Sequence, residues 1–204
     1  MNELDNSNEI VSNEILSFVK SMRNANTYKE KCINETDLLN KCILCKQFMS
    51  SQEWSCVMEQ YIKKELNIDS KKDEVSGDGC KNGKNIEIKV SLGCINGQMN
   101  FVQLRPDHNI DYYLFVGYNL FEDTCGKVYT LLIPSENIYE LIINYGSYSH
   151  GTVFKLGNIT RENIKGRNCE YSLRPNPELS NNCKYKKLWI ELLKYQKEFN
   201  SDLI

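Results

Sequence analysis

Ser76-Gly77-Asp78-Gly79-Cys80-Lys81-Asn82-Gly83-Lys84-Asn85-Ile86-Glu87-Ile88-Lys89-Val90-Ser91-Leu92 is the stretch on which the reading of this chain turns. Its first half is polar, and Gly77, Gly79 and Gly83 invite turns. Its second half, from Ile86 to Leu92, alternates apolar and polar residues, which predicts a strand. On a strand, positions i and i+2 face the same way, so Glu87 and Lys89 stand side by side with Ser91 beyond them. Ile86, Ile88 and Val90 take the opposite face, where a helix can cover them. Asp78, at the end of a preceding strand or turn, can bring a second carboxylate to the same mouth. Two carboxylates with open water positions suit a hard, oxygen-seeking ion such as Mg²⁺. Such an ion polarises a phosphoryl oxygen and acidifies water, and a neighbouring ammonium can hold the attacking water or offset charge in the transition state. Taken singly, Glu and Lys two apart also suit a solvated strand face, and Asp between glycines suits ordinary turn chemistry. The combination gives the segment its weight: a helix, a Gly-Asp-Gly turn, then Glu-x-Lys in a strand followed by more strands.

Upstream of this stretch the chain reads as helical. Ile10, Val11, Ile15, Leu16, Phe18 and Val19 recur at near-helical spacing, and a second helix is expected through Leu38, Leu39, Ile43, Leu44 and Phe48. A third begins near Ser50-Ser51, with Ser50 and Glu53 spaced as a capping box, and runs through Trp54, Met58, Tyr61, Ile62 and Leu66. Downstream, MNFVQL, DYYLFVGYNL and KVYTLLIP are strand candidates. Pro134-Ser135-Glu136 opens an apolar helix, a short strand is expected near CEYSL, and YKKLWIELLKYQKEF predicts a closing helix that packs through Leu188, Trp189, Leu192, Leu193 and Tyr195. These elements predict an α/β (α+β) fold, a central mixed β-sheet flanked by helices, with a helical N-terminal region. A single domain over 1–204 is expected, divided into a helical part (1–68), a catalytic core (69–144), and a basic loop with the C-terminal helix (145–204).

The chain has 204 residues and nine cysteines. Its start is acidic and polar, unlike a secretory signal, so reduced thiols and a cytoplasmic location without membrane attachment are expected. Cys42 and Cys45 form a CxxC pair on an expected helix, with no second pair to complete a zinc site, so buried packing is the preferred reading over metal or redox roles. The net charge is −2, but residues 151–197 carry 10 Lys and Arg against 4 Glu. An acidic centre and a basic C-terminal third could hold a metal in one place and phosphates in another. In the loop 144–168, Tyr145, Tyr148 and His150 interleave with Lys155, Arg161, Lys165 and Arg167, a composition suited to a DNA groove and equally to an ordinary surface loop. Lys184, Lys186 and Lys187 head the last helix, where phosphates are the expected contacts if DNA binds there. Asp107-His108-x-x-Asp111 can be drawn as metal ligands. With His150 as the one other histidine, a polar turn ahead of the strand YYLFVGY is the better reading.

The Asp78, Glu87 and Lys89 arrangement resembles the PD-(D/E)xK nuclease superfamily, and type II restriction endonucleases in particular. The resemblance covers roughly residues 50–120 and departs from the pattern at Gly77, which stands where the family has proline. It implies a restriction endonuclease-like fold whose hairpin-like core holds Asp78 and Glu87 as Mg²⁺ ligands, with Lys89 assisting the attacking water. It also implies a helical acid completing the site, Glu59 ahead of Glu53. NFVQLRPDHNIDYYLFVGYNL looks like the segment that often follows Glu-x-Lys in such nucleases. Gln103 is then expected on the strand next to the active-site strand, within reach of a metal-bound water or a phosphate. Arg105 is expected on a phosphate or a guanine edge, or else paired with Asp107 or Asp111. Ser91 is a further candidate for a phosphate. Site-specific cleavage of double-stranded DNA, a two-fold homodimer and a methyltransferase protecting the same sequence in the host are what this family membership implies. A repair or viral nuclease of the same fold, or a non-catalytic DNA-binding module, are the alternatives.

Overall fold

The computed structural model describes residues 34, 41, 45–46, 49–71, 73, 75–93, 96–119, 127–149, 157–164, 169–200 and 202–204. The two helices expected before residue 49 lie outside these, apart from single positions, as does Cys42; Cys45 is buried. The chain divides into two compact units, Met1–Val57 and Met58–Ile204.

Helix α1 (Ser51–Glu65) begins in the first unit. Its start is the capping box expected from the sequence: Glu53 N–H donates to Ser50 Oγ (3.2 Å), and Ser50 N–H donates to Glu53 Oε2 (3.1 Å). Lys46 lies 5.0 Å from the centre of the Trp54 ring. In the second unit the helix buries Met58 and Ile62, one turn apart, and Leu66 continues the same stripe just past its end.

The second unit is a mixed sheet with helices. Its strands are β1 (Asp69–Ser70), β2 (Gly79–Lys81), β3 (Lys84–Gly93), β4 (Phe101–Leu104), β5 (Tyr112–Asn119), β6 (Lys127–Pro134), β7 (Ser147–Tyr148), β8 (Tyr171–Leu173) and β9 (Gln196–Lys197), with helices α2 (Ser135–Tyr145) and α3 (Lys184–Leu193). Six strands form one sheet in the order β1-β2-β3-β5-β6-β9, while β4, β8 and β7 form a second, smaller sheet. Among the described residues, β3 and β5 run parallel in the large sheet and its other pairs are antiparallel.

The hairpin β2–β3 turns on two residues, Asn82 at φ 50° and Gly83 at φ 75°. An Asn-Gly pair with both φ values positive twists in the sense of the flanking strands. Strand β5 is buried from Tyr113 through Asn119, as befits a strand with neighbours on both sides and cover on both faces. Cross-strand register puts Glu87 beside Tyr113 and Lys89 beside Phe115, on the face that carries the main core. There Phe101 of β4 stacks on Phe115 with centroids 4.3 Å apart, so the small sheet closes over the large one. Ile138, Leu141 and Ile142 of α2, with Leu188, Trp189 and Leu192 of α3, complete this core. Ile86, Ile88, Leu114 and Val116 are buried on the opposite face.

Three expectations need correction. Strand β4 is not next to β3: it lies in the crossover that a parallel β3–β5 pair requires, and it pairs with β8 instead. The closing helix ends at Leu193, short of its apolar pattern, because Gln196 and Lys197 pair with Leu131 and Thr130 along the otherwise open edge of β6. The small sheet itself was not foreseen. Among the described residues, no helix is long and apolar enough to cross a membrane.

Candidate active site

The site is built at the open end of the β2–β3 hairpin. Pairing between these strands ends where Gly79 meets Ile86. One residue earlier, Asp78 N–H donates to Ile86 O (2.9 Å), and the Asp78 carboxylate takes the next β3 donor, accepting Ile88 N–H at Oδ2 (2.7 Å). A side chain thus replaces the strand that has run out. It lands on the residue between Glu87 and Lys89.

Both flanking glycines are required by this turn. Gly77 has φ +74°, and a Cβ there would sit 2.6 Å from Ile86 O. Proline fixes φ near −65°, so it could not take the place of Gly77 in this turn. A Cβ on Gly79 would meet Ile68 Cγ2 at 2.4 Å and Asp69 O at 2.8 Å.

On β3, Lys89 Nζ lies 2.6 Å from Glu87 Oε1, with side-chain exposures of 18% and 13%. Burial raises the Glu87 carboxyl above its ordinary value; the Asp78 charge pushes the same way, while Lys89 and Arg105 oppose. Glu59, on α1, is also raised, first by burial and then by Asp78, against Lys63 and Lys89. The Glu59 carboxyl therefore feels both Asp78 and Lys89. Sequence reasoning missed Lys63, which donates to Glu59 Oε1 (2.5 Å) and to the backbone oxygen of Asp78 (3.2 Å). The one signal for it was the i, i+4 spacing of Glu59 and Lys63 on a helix.

Arg105, just beyond β4, is held by a residue that sequence reasoning also missed. Its Nε and Nη2 both donate to Glu170 Oε1, at 3.0 and 2.6 Å. Neither Asp107 nor Asp111 is the partner in that ion pair; Asp111 accepts from Asn85 N–H and Lys84 instead. His108 sits in a turn, its N–H donating to Arg105 O, as the polar-turn reading expected. Gln103 is exposed on β4 with φ +56°, away from the hydrogen-bonding edges of β3. Ser91 is buried and its Oγ accepts Asn100 N–H (2.7 Å), so it ties the β3–β4 connection. Arg161 pairs with Glu140 in the open. Lys155, Lys165, Arg167 and His150 lie outside the described residues.

Among the described residues, no group of three His, Cys, Asp or Glu side chains is close enough to hold a metal. Asp78 and Glu87 remain as a pair of hard oxygen donors; burial first, and then the Asp78 charge, raises the Glu87 carboxyl. That donor set fits Mg²⁺, which keeps several waters and needs few protein ligands. No protein-family model matches the chain, and no curated protein is detectably similar to it.

Proposed function

We propose that this protein is a Mg²⁺-dependent endonuclease that hydrolyses phosphodiester bonds in double-stranded DNA, with site-specific cleavage of the restriction type as the finer reading. One observation carries it: the Asp78 carboxylate is bonded to the amide of Ile88, the residue between Glu87 and Lys89. That bond gathers two carboxylates and an ammonium at one hairpin mouth. A solvated strand face has no need of it.

Asp78 and Glu87 would hold the ion. When bound, Mg²⁺ supplies Lewis-acid polarisation of a phosphoryl oxygen and makes nearby water more acidic. Lys89, mostly buried beside Glu87, orients the water whose oxygen bonds to phosphorus, or offsets charge on the phosphoryl oxygens. The P–O ester bond breaks as that bond forms; the attacking water gives up a proton to solvent and the leaving oxygen takes one up from solvent. Glu59 and Lys63 keep α1 and the Asp78 turn in register. The basic loop with Lys155, Arg161, Lys165 and Arg167 would reach the DNA groove. Restriction cleavage of a symmetric site would use a homodimer, and the host would protect the sequence by methylation.

The test is incubation of phage-length duplex DNA with the protein, in Mg²⁺ and in EDTA. Discrete, Mg²⁺-dependent bands are expected. Asp78→Asn, which keeps an acceptor for Ile88 N–H while removing the charge, and Lys89→Ala should each slow cleavage by about 100-fold or more. A smear with the same dependence would sink the restriction reading and keep the nuclease. Intact DNA at every metal and salt condition, on methylated and unmethylated substrates, would leave a non-catalytic DNA-binding module as the better account.

A further inference from the structure

Strand β4 carries one more residue than its partner: Phe101 pairs with Leu173 and Leu104 with Tyr171, so three steps on one strand match two on the other. The extra residue is accommodated at Gln103, held at φ +56°. Such bulges re-aim the side chains beyond them, and they recur beside active sites. Beyond this one come Leu104, fully buried, and then Arg105. The guanidinium is gripped on its Nε and Nη2 edge by Glu170, the residue just ahead of β8. The backbone of Arg105 is gripped too, since Tyr113 Oη donates to its carbonyl (3.0 Å), and Tyr113 is the β5 residue in register with Glu87. Burial raises the Tyr113 phenol, and the Glu87 charge adds to that, as expected of close neighbours. The ion pair keeps solvent contact, with 37% of the Arg105 side chain and 28% of that of Glu170 exposed.

We propose that Glu170 is a positioning residue of the active site: with the β4 bulge, it holds the Arg105 guanidinium over the face of the sheet that carries Glu87 and Tyr113, to receive the oxygens of a DNA phosphate. A planar guanidinium matches a phosphate's geometry, and fixing it in advance lowers the ordering cost when substrate arrives. This rests on the nuclease reading, because it names the phosphodiester as the ligand. The alternative role for Glu170 is plain charge balance, in which case its carboxylate repels DNA and nothing more.

The test uses wild type, Glu170→Gln, Arg105→Ala and the double variant, with two readouts. In EDTA, the Arg105 Nε–H resonance is followed while a 20-base-pair duplex is titrated. In Mg²⁺, single-turnover cleavage of the same duplex is timed. The expected result is a DNA-dependent shift of the Arg105 signal in wild type that is weakened or lost in Glu170→Gln. Cleavage should slow about tenfold in Glu170→Gln and more in Arg105→Ala, with the double variant no slower than Arg105→Ala, since residues acting as a unit are not additive. A Glu170→Gln protein that binds DNA more tightly, cleaves at the wild-type rate and shifts normally overturns the proposal. So does a double variant whose losses multiply. A wild type that shows the Glu170-dependent shift but cleaves no DNA sinks the nuclease reading and leaves the positioning role standing.

Discussion

Asp78 and the glycines beside it show how one residue triplet sets both a turn and the placement of a carboxylate. Gly77 must adopt a left-handed φ so that Asp78 N–H can reach Ile86 O, and only then does the carboxylate meet Ile88 N–H. Replacing Gly77 with alanine places a Cβ 2.6 Å from Ile86 O and 2.8 Å from Ile110 Cδ1. The left-handed backbone alone costs an L-residue about 1–2 kcal/mol, and the clash adds to it. Gly77→Ala is therefore expected to lose ~2 kcal/mol or more in urea unfolding, where Gly83→Ala, with open space around its Cβ, loses the conformational part alone. Equal losses at the two positions would mean that the Asp78 turn does not depend on close approach to β3. Glu87 and Lys89 were legible in the sequence because strand alternation is local and fixes which side chains share a face. Asp78 was legible as a turn residue. Lys63 and Glu170 were not, since their partners in the site are 15 and 65 residues away along the chain, and no local pattern encodes that distance.

At the scale of elements, β4 departs furthest from expectation, and the reason is energetic. Its sequence, MNFVQL, reads as a strand candidate, and it forms one, but the choice of neighbour depends on where Phe101 stacks, on Phe115 across the core. The bulge after Phe101 is strained at Gln103, a non-glycine residue at φ +56°. Glycine accepts that conformation at no steric cost, so Gln103→Gly should stabilise the protein by about 1 kcal/mol, or roughly 2–4 °C in melting temperature for a chain of this size. Gln103→Ala keeps the strain and should bring no such gain. A glycine variant no more stable than the alanine variant would show that the bulge is unstrained. Comparing the DNA affinities of both variants with that of wild type also isolates any contact made by the amide, which both remove. The same local-versus-tertiary division explains β2 and β9. Gly83 was legible as a turn, but the β2–β3 hairpin that Asn82-Gly83 closes was not expected from local pattern, since β2 has only three residues. Nothing in YKKLWIELLKYQKEF announces that its last residues join β6, because that is decided by an open strand edge elsewhere in the fold.

The whole molecule carries a net charge of −2, and among the described residues two carboxyls with raised affinity for protons, Glu59 and Glu87, both feel the Asp78 charge. Folding raises the carboxyls of Glu59 and Glu87 above their ordinary value of 4.5, burial first and the Asp78 charge with it. A carboxyl raised in this way binds its proton more tightly in the folded chain than in the unfolded one. Its contribution to stability is therefore greatest at low pH, declines as pH rises above about 4.5, and levels off past the folded pKa. Asp111 has the opposite sign: its carboxyl is lowered by Asn85 N–H, and that stability is lost only as pH falls below its ordinary 3.8. Between pH 5 and pH 7.5 the Asp111 contribution is constant, whereas that of the raised pair falls. A divalent ion held by Asp78 and Glu87 would replace the missing proton charge, and protons compete with it. Mg²⁺ at tenfold over its dissociation constant adds about 1.4 kcal/mol, so it should raise the melting temperature clearly at pH 7.5 and less at pH 5. Asp78→Asn removes the repelling charge and one ligand together. In EDTA it should flatten the fall in stability from pH 5 to pH 7.5, and in Mg²⁺ it should abolish most of the gain. Melting curves of the two proteins under the four conditions decide it. A Mg²⁺ gain equal at both pH values, or retained in Asp78→Asn, would place the ion away from this mouth and remove the electrostatic reason for a metal there.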